Sequence, residues 1–437
     1  MAPETIQVET DDKLPAQADV VIIGGGIAGV STLLSLAEKG VSVALVEKGR
    51  LAGEQSSRNW GFCRTQGRDQ AEVPLALEAL RQWDRMNERV GGDVAFTRAG
   101  ACYLCETDKE VAAYEAWLDA ARRWQVQSRI LTADEVDKVL PGSSRRWAGA
   151  LYTPNDGRAE PQRAVPLMAA AARRLGATIA VNCAARGVET KAGRVSGVVT
   201  EKGTIACSSV IMAGGAWSRL FCGNMGIDFP QLKVLGSVMR TTPIGGTPEL
   251  AVAGPDFAFR KRADGGYTVA RRNKYEAFVV PDSFRLFTTF LPSMIRTRKE
   301  YTIRLFGRFQ EEAKLPRRWN LDQVTPFETN RVLDPQPNPA IVAESMRNLV
   351  RAFPAFAPAK VAESWGGLID ATPDAVPVIS PVSSVPGFFL MSGFSGHGFG
   401  IGPGAGRLMA ELVTGAQPCV DPAPFRFERF HPTAKAA

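Results

Sequence analysis

Six residues near the amino terminus have the types and spacing that hold the diphosphate of a nucleotide. The sequence GGGIAG at residues 24–29 matches the pattern G-x-G-x-x-G, and it lies between the apolar run 20–23 and a stretch with helical periodicity. We expect Gly24 to make the tight turn, Gly26 to let phosphate oxygens reach backbone N–H groups, and Gly29 to let the helix pack closely on the strand. The segment therefore predicts a diphosphate site at the start of a helix.

A glutamate completes this unit. Gly40 is expected to end the helix, and a second apolar run, residues 41–46, ends at Glu47. In dinucleotide-binding strand–helix–strand units, a carboxylate about 20 residues after the glycines accepts hydrogen bonds from a ribose. NAD and FAD are bound by the same unit, so it does not decide between them. The polar loop 48–69 fits either a segment that passes along a longer cofactor or an ordinary surface connection.

One of the two histidines of the chain stands in a second glycine-rich segment, far along the sequence. His397 lies within GFSGHGFGIGPGAG, residues 393–406, which continues into a helical pattern. Glycines let the backbone approach a flat ring, and N–H groups at a helix start favour negative charge beside them. His397 either donates a hydrogen bond to such a ring or only fixes the loop.

The elements that must position these segments suggest two domains, because 437 residues exceed what one hydrophobic core usually organises. A further apolar strand, residues 210–213, meets Gly214 and a second glycine turn, which returns the chain to the nucleotide-binding part. The middle of the chain, residues 234–363, is richer in basic and aromatic residues and lacks the strand–helix alternation. We assign it chiefly to a separate substrate domain.

Composition argues against several other classes of function. The net charge of +7 comes from 52 basic and 45 acidic residues whose signs are interleaved, which argues against nucleic-acid binding. Residues 20–37 hold no charge, but the glycines there and the acidic residues before them do not fit a membrane span or signal peptide. Seven cysteines fit a reducing cytoplasm, and we expect no metal site, with Cys102 and Cys105 in a buried strand.

Four segments together resemble the D-amino-acid oxidase and sarcosine oxidase superfamily of FAD enzymes, with a pattern nearest to monomeric sarcosine oxidase, glycine oxidase and D-amino acid dehydrogenase. They are VVIIGGGIAGVSTLLSLAEKGVSVALVEK, VPLALEALRQW, MAGGAWSRL and GFSGHGFGIGPGAGRLMAELVTG. The resemblance implies an α/β fold, in which a Rossmann-like FAD-binding domain is interleaved with an α+β substrate domain that has a mostly antiparallel sheet. We expect residues 17–93, 160–231 and 366–425 in the FAD-binding domain, 94–159 and 232–365 in the substrate domain, and 1–16 as a flexible extension.

The resemblance also implies which residues bind FAD. Members with covalent flavin carry cysteine at the position of Gly367, so noncovalent FAD is expected here. The implied cofactor-binding residues are Gly24, Gly26, Ile27, Ala28, Gly29, Glu47, Lys48, Ser56, Ser57, Arg58, Val188, Gly214, Trp217, Gly367, Gly396, His397, Gly398, Phe399 and Gly400.

For the substrate, the resemblance implies that Arg64 clamps a carboxylate with its planar guanidinium. Gly400 stands where sarcosine oxidase has a lysine, and Thr268 stands near its oxygen-activating lysine. The electron acceptor is therefore either oxygen or a quinone or carrier. Arg271 and Arg272 either bind a second acidic group or belong to a solvated basic hairpin, and Tyr267 is a further candidate on the covering sheet.

The function implied is oxidation of the C–N bond of a carboxylate-bearing amine. Hydride passes from the carbon next to the amine to flavin N5, and the imine is hydrolysed to an oxo acid and an amine. Sarcosine, iminodiacetate, an opine or a D-amino acid would be a substrate. The alternatives are a 2-hydroxy acid dehydrogenase, an NAD-dependent dehydrogenase, and a non-enzymatic binding role. The basic charge also permits peripheral association with a membrane.

Overall fold

The computed structural model describes residues 3–431. The strands are β1 Val20–Ile23, β2 Val43–Val46, β3 Phe62–Cys63, β4 Ala101–Cys105, β5 Arg129–Thr132, β6 Gly149–Thr153, β7 Gly157–Arg158, β8 Thr178–Ala180, β9 Ala185–Lys191, β10 Arg194–Thr200, β11 Gly203–Ala206, β12 Ser209–Met212, β13 Leu232–Thr241, β14 Ala251–Ala253, β15 Ala258–Lys261, β16 Tyr267–Ala270, β17 Tyr275–Phe278, β18 Tyr301–Arg304, β19 Val361–Ala371, β20 Val378–Pro381 and β21 Phe388–Ser392. The helices are α1 Ile27–Ala37, α2 Gln55–Arg58, α3 Val73–Asp84, α4 Met86–Val90, α5 Asp108–Ala121, α6 Ala133–Val139, α7 Pro161–Arg174, α8 Ser218–Asn224, α9 Pro281–Arg285, α10 Phe287–Thr297, α11 Phe309–Ala313, α12 Pro326–Thr329, α13 Pro339–Ala352 and α14 Gly398–Thr414.

Six strands form a mostly parallel sheet in the order β20–β21–β12–β1–β2–β8. Strand β1 pairs in parallel with both β2 and β12, and β20 runs antiparallel to β21. The predicted strand–helix–strand unit is confirmed as β1, α1 and β2. Because β1 lies inside the sheet, all four of its residues are apolar and buried.

Helices cover one face of this sheet, and a small sheet covers the other. Val20 and Ile22 point into a core shared with α1, α3, α7 and α14, whereas Val21 and Ile23 point into a core shared with α8 and the antiparallel strands β9, β10 and β11. This division follows from the alternation of side chains along a strand. Burial of β1 and α1 on all sides also explains why this stretch of sequence holds no charge.

Helix α14 packs closely against α1 and α3 because glycines lie at the contacts. A Cβ atom added at Gly406 would lie 2.5 Å from the backbone carbon of Ser31 in α1. One added at Gly404 would lie 2.7 Å from the carbonyl oxygen of Leu75 in α3. Gly404 and Gly406 therefore serve helix packing.

The second large sheet has the order β18–β17–β13–β16–β15–β14–β4–β6–β5, with β19 paired to β13. It is mostly antiparallel, as expected, with parallel pairs at β14–β4 and β17–β18. One face packs on α6 and α13, and the other carries Tyr103, Val238 and Trp365. Strand β19 runs in this sheet to Ala371, beyond the expected boundary at residue 365. The assignment of residues to domains stays a prediction.

The segment expected as a flexible extension makes contacts along the helical side of the first sheet. The amide of Ile6 donates to the carbonyl oxygen of Gln162 at 3.1 Å, and the amide of Ile179 donates to the Asp11 carboxylate at 2.8 Å. Arg173 donates to the same carboxylate at 3.0 Å. Backbone bonds and an ion pair thus join this segment to α7 and β8.

Candidate active site

A cavity of about 1160 Å³ opens at the carboxyl ends of β1, β2 and β12. Its walls come from residues 23–28, from 46–56, from 212–217 and from the region between 368 and 399. The ends of parallel strands are where sheets of this kind bind ligands. The two glycine-rich segments of the sequence therefore meet around one cavity.

The first glycine segment is shaped as the motif predicts. Gly24 has a φ of +115°. A Cβ atom added at Gly29 would lie 2.0 Å from the carbonyl oxygen of Gly24. The Glu47 carboxylate accepts hydrogen bonds from the amides of Gly25 and Gly49, each at 2.7 Å. Burial raises the pKa of Glu47, while Lys48 and these two amides act in the opposite direction. The carboxylate is thus fixed by backbone groups on the wall of the cavity.

The loop after β2 crosses the start of α1. Ser56 Oγ accepts a hydrogen bond from the amide of Ile27 at 2.8 Å. Lys48 Nζ donates to Glu54 at 2.6 Å and lies 4.7 Å from the ring centre of Trp217, whose Nε1 also donates to Glu54 at 3.0 Å. The loop is therefore part of the cavity wall, which favours the first of the two interpretations left open by the sequence.

A buried aspartate holds the second glycine segment in place. Asp370 Oδ2 accepts a hydrogen bond from the amide of Gly393 at 2.7 Å, and its backbone oxygen accepts one from Ser395 at 2.8 Å. Burial raises the pKa of Asp370, and the Gly393 amide opposes that rise. The loop then reaches His397, and α14 begins at Gly398 on the wall of the cavity.

These walls fit a long dinucleotide such as FAD. The first-turn N–H groups of α14 have no acceptor within the helix, and Gly398 and Phe399 line the cavity. A Cβ atom added at Gly215 would meet nothing within 4 Å, so the turn after β12 opens into free space. Buried Gln55 Oε1, also on the wall, has no hydrogen-bond partner in the structure. The site thus offers backbone donors at two helix starts.

A second cavity, of about 870 Å³, adjoins the first. Gln55, Asn59, Gly396 and Phe399 line both. The second cavity lies between the loop 58–68, the start of α14 and one face of the ten-stranded sheet. This is the face that carries Tyr103 and Val238. A flavin ring bound where the two cavities meet would face the second cavity.

A charged cluster stands at the α14 side of the second cavity. His397 Nδ1 lies 3.2 Å from the carboxylate of Glu72, which is fully buried, although the contact is poorly aligned for a hydrogen bond. Burial lowers the pKa of His397, and Glu72 opposes this effect. Burial also opposes ionisation of Glu72, but His397, Arg68 and Arg64 outweigh it and hold the pKa of Glu72 below its ordinary value. The arrangement favours a Glu72 carboxylate beside a neutral imidazole.

Two arginines complete this cluster. Arg64 donates to the carbonyl oxygen of Gln66, and its guanidinium lies 5.2 Å from the ring centre of Tyr103. Arg68 is only 3% exposed, and its Nη1 has no hydrogen-bond partner. Burial, followed by Arg64, lowers the pKa of Arg68 to about 10, so it stays charged at neutral pH. Both side chains line the second cavity.

The basic hairpin contributes to the sheet side of the same cavity. Arg271 and Lys274 line it, and both bind Glu344, at 3.1 and 2.6 Å. Arg272 does not line either cavity; it donates to the Tyr114 hydroxyl at 2.8 Å, behind the wall.

Most of the residues expected at the site line one of the two cavities, but five do not. Gly29 packs against Gly24, and Ser57 bonds to the Glu54 carbonyl oxygen. Val188 is half-buried and packs against the core shared with α8, whereas Ala185, three residues earlier on the same strand, lines the first cavity. Tyr267 is fully buried in the core on the far face of the sheet, where its hydroxyl donates to Pro248. The fifth is Arg272.

The other expected residues line a cavity. Those in the first cavity are Gly24, Gly26, Ile27, Ala28, Glu47, Lys48, Ser56, Gly214, Trp217, Gly398, Gly396 and Phe399. Those in the second cavity are Arg58, Arg64, Arg271, Gly367, Gly396, His397, Phe399 and Gly400.

Sequence reasoning missed three residues of the site. Arg68 and Glu72 follow Arg64 at intervals of four residues, and this charged repeat before α3 was the available signal. Asp370 carried no comparable signal, because its partner Gly393 lies 23 residues away in sequence.

The chain matches the family model described as DAO, FAD dependent oxidoreductase, over residues 19–412. Two solved structures of L-amino acid deaminase resemble it. The one from Proteus myxofaciens, in complex with anthranilate, is 35% identical with a TM-score of 0.94, and the alignment covers 98% of this chain and 96% of that one. The one from Proteus vulgaris is 34% identical with a TM-score of 0.92, covering 97% and 99%. The sarcosine oxidase subunit beta of Arthrobacter sp is 27% identical, over 94% of this chain and 91% of that protein. The match over nearly the whole chain shows that the protein belongs to the DAO family of FAD-dependent oxidoreductases.

Proposed function

We propose that the protein oxidises the Cα–N bond of an amino acid, giving an imine that water hydrolyses to a 2-oxo acid and ammonia. The observation that carries this proposal is the cationic cavity that adjoins the dinucleotide cavity at Gly396 and Phe399. The names of the two deaminase structures, each more than 30% identical, support a primary L-amino acid, whereas the sequence led us to expect a secondary amino acid or a D-amino acid.

The residues of the chain bind and orient the substrate. Arg64 and Arg68 receive its carboxylate, because Arg68 is buried with a free donor and Arg64 lies beside it. His397, neutral beside Glu72, leaves the amine side of the substrate without an added positive charge. The residues that line the first cavity would hold FAD noncovalently, and the bound flavin would supply the acceptor for the hydride of the substrate. Orientation and exclusion of water are the main tasks left to the protein.

A second candidate is oxidation of a secondary amino acid such as sarcosine. Its support is the 27% identity to a sarcosine oxidase subunit over 421 residues. The two candidates differ in product, since a primary amino acid releases ammonia and an N-methyl amino acid releases methylamine or formaldehyde.

The test is product analysis on purified holoenzyme with an artificial electron acceptor. The panel contains L- and D-forms of several amino acids, sarcosine, and the matching 2-hydroxy acids. We expect equal amounts of 2-oxo acid and ammonia from an L-amino acid. Methylamine or formaldehyde from sarcosine alone would favour the second candidate, and turnover of hydroxy acids alone would contradict both.

We further propose that electrons pass to a quinone in a membrane with which the protein associates from the cytoplasmic side. An exposed apolar surface supports this. It consists of Phe284, Phe287, Leu291, Met294, Ile295, Ile303, Leu305, Phe306 and Phe309. Arg296, Arg298, Lys299 and Arg304, all exposed, interrupt it with positive charge that suits anionic lipids.

Among residues 3–431, no helix has the length and apolar character that crossing a bilayer requires. All seven cysteines are free thiols, which agrees with a reducing compartment.

A further inference from the structure

The charged side chains on the walls of the second cavity are all positive. The charged side chains that line it are Arg58, Arg64, Arg68, Arg271 and Lys274, and no Asp or Glu lines it within residues 3–431. Arg58 already has an anionic partner, because it binds Asp334 at 3.0 Å, and it also donates to the carbonyl oxygen of Gly366 at 2.8 Å. The other four form two groups on different walls.

The first group is Arg64 and Arg68, beside the start of α14. In the part of the chain that the structure describes, no carboxylate oxygen lies within 4.0 Å of a guanidinium nitrogen of either arginine, so neither forms an ion pair. Glu72 faces His397, and Asp156 accepts the amide of Thr65 at 2.7 Å. The free Nη1 of Arg68 therefore indicates that an anionic acceptor comes from the ligand.

The second group is Arg271 and Lys274, in the turn between β16 and β17. Both bind the single carboxylate of Glu344. One negative charge cannot neutralise two cations, so this wall keeps an excess positive charge that faces the cavity. Tyr275, on the same wall, adds an uncharged hydroxyl.

We infer that the substrate carries two acidic groups, one received by Arg64 and Arg68 and the other by Arg271 and Lys274. The inference rests on the proposed function and narrows its substrate class to acidic amino acids; for the second candidate function, the same two groups narrow the substrate to an N-carboxyalkyl amino acid. A substrate with one carboxylate leaves the second group without a partner.

The test compares glutarate with butyrate as ligands of the oxidised holoenzyme, followed by the change in flavin absorption. We expect glutarate to bind about 10- to 100-fold more tightly, the effect of one additional charge-assisted contact. Lys274→Met should abolish this ratio, because Glu344 then neutralises Arg271, whereas Glu344→Gln should increase it. Arg64→Met should weaken both acids alike. Lys360→Met, at an exposed lysine without an ion pair, is the matched control and should leave the ratio unchanged.

Equal affinities for the two acids, no response of the flavin to either, or a ratio that survives Lys274→Met would overturn the inference. Failure of the proposed function looks different: the acids bind as expected, but no amine reduces the flavin. If amines with one carboxylate reduce the flavin and glutarate has no advantage, the inference alone fails.

Discussion

At the scale of single residues, Gly398 tests whether the start of α14 forms part of the flavin site. A Cβ atom added there would lie 3.0 Å from Phe394 Cβ, on the wall of the first cavity. We expect Gly398→Val to lower FAD affinity about 10-fold or more, through the cost of overpacking. The ratio of flavin to protein absorbance after purification measures this loss. Gly223→Val is the control, since a side chain there meets nothing within 4 Å; a fully yellow Gly398→Val protein would contradict the assignment.

The pair Glu72 and His397 gives a second prediction at this scale. Because burial lowers the pKa of His397 while Glu72 raises it, Glu72→Gln should lower that pKa further. The chain has only two histidines, so imidazole NMR signals can be followed directly through a pH titration. His431, which contacts the backbone oxygen of Asp228 on the surface, is the internal control. A His397 pKa that rises or stays constant in the variant would be inconsistent with the described contact.

At the scale of elements, one buried ion pair joins α7, a helix that packs on the first sheet, to the second large sheet. Glu160, at the start of α7, binds Arg260 of β15 at 2.6 Å, and both side chains are buried. Burial opposes ionisation of Glu160, but Arg260 outweighs it and lowers the pKa to about 2. The stabilisation is therefore complete above the ordinary value of 4.5 and is lost as the pH falls from there towards 2.

We expect Glu160→Gln to destabilise the protein by about 3–5 kcal/mol at neutral pH, because Arg260 is left as a buried charge without its partner. The urea midpoint of unfolding measures this, and its decrease between pH 5 and pH 3 should be smaller in the variant. Glu115→Gln, at an exposed position, is the control. An unchanged midpoint at neutral pH would show that the pair does not stabilise the junction.

The elements also explain which parts of the site could be predicted. Gly24, Gly29 and Glu47 belong to one local unit, so their spacing in the sequence fixes their positions in space. Tyr267 depends instead on the register of β16 against β15, and a shift of one residue moves a side chain to the other face of the sheet. The meeting of Glu72 with His397 depends on the packing of α3 against α14, which local sequence patterns do not specify.

At the scale of the whole molecule, the exposed apolar surface around residues 284–309 predicts binding to lipid. Phe306 is 85% exposed, and burying an aromatic side chain of this kind contributes about 1.5–3 kcal/mol. Phe306→Ser should therefore lower binding to vesicles of phosphatidylcholine and phosphatidylglycerol about 10-fold or more, as measured by co-sedimentation. Added salt should weaken binding of the wild type, because Arg296, Arg298 and Lys299 attract the anionic lipid. Leu175→Ser, at an exposed leucine directly after α7, is the control; equal binding by both variants would refute the assignment.

The two cavities, one for FAD and one for an acidic amine, are the central claim for the molecule as a whole. The most direct measurement is anaerobic mixing of the yellow holoenzyme with L-glutamate, L-glutamine and N-carboxymethyl amino acids while the flavin absorption band is recorded. We predict that the band bleaches with a substrate that carries two acidic groups and that the bleached protein contains one reduced FAD per chain. A colourless protein, or a flavin that stays oxidised with every amine in the panel, would contradict the account.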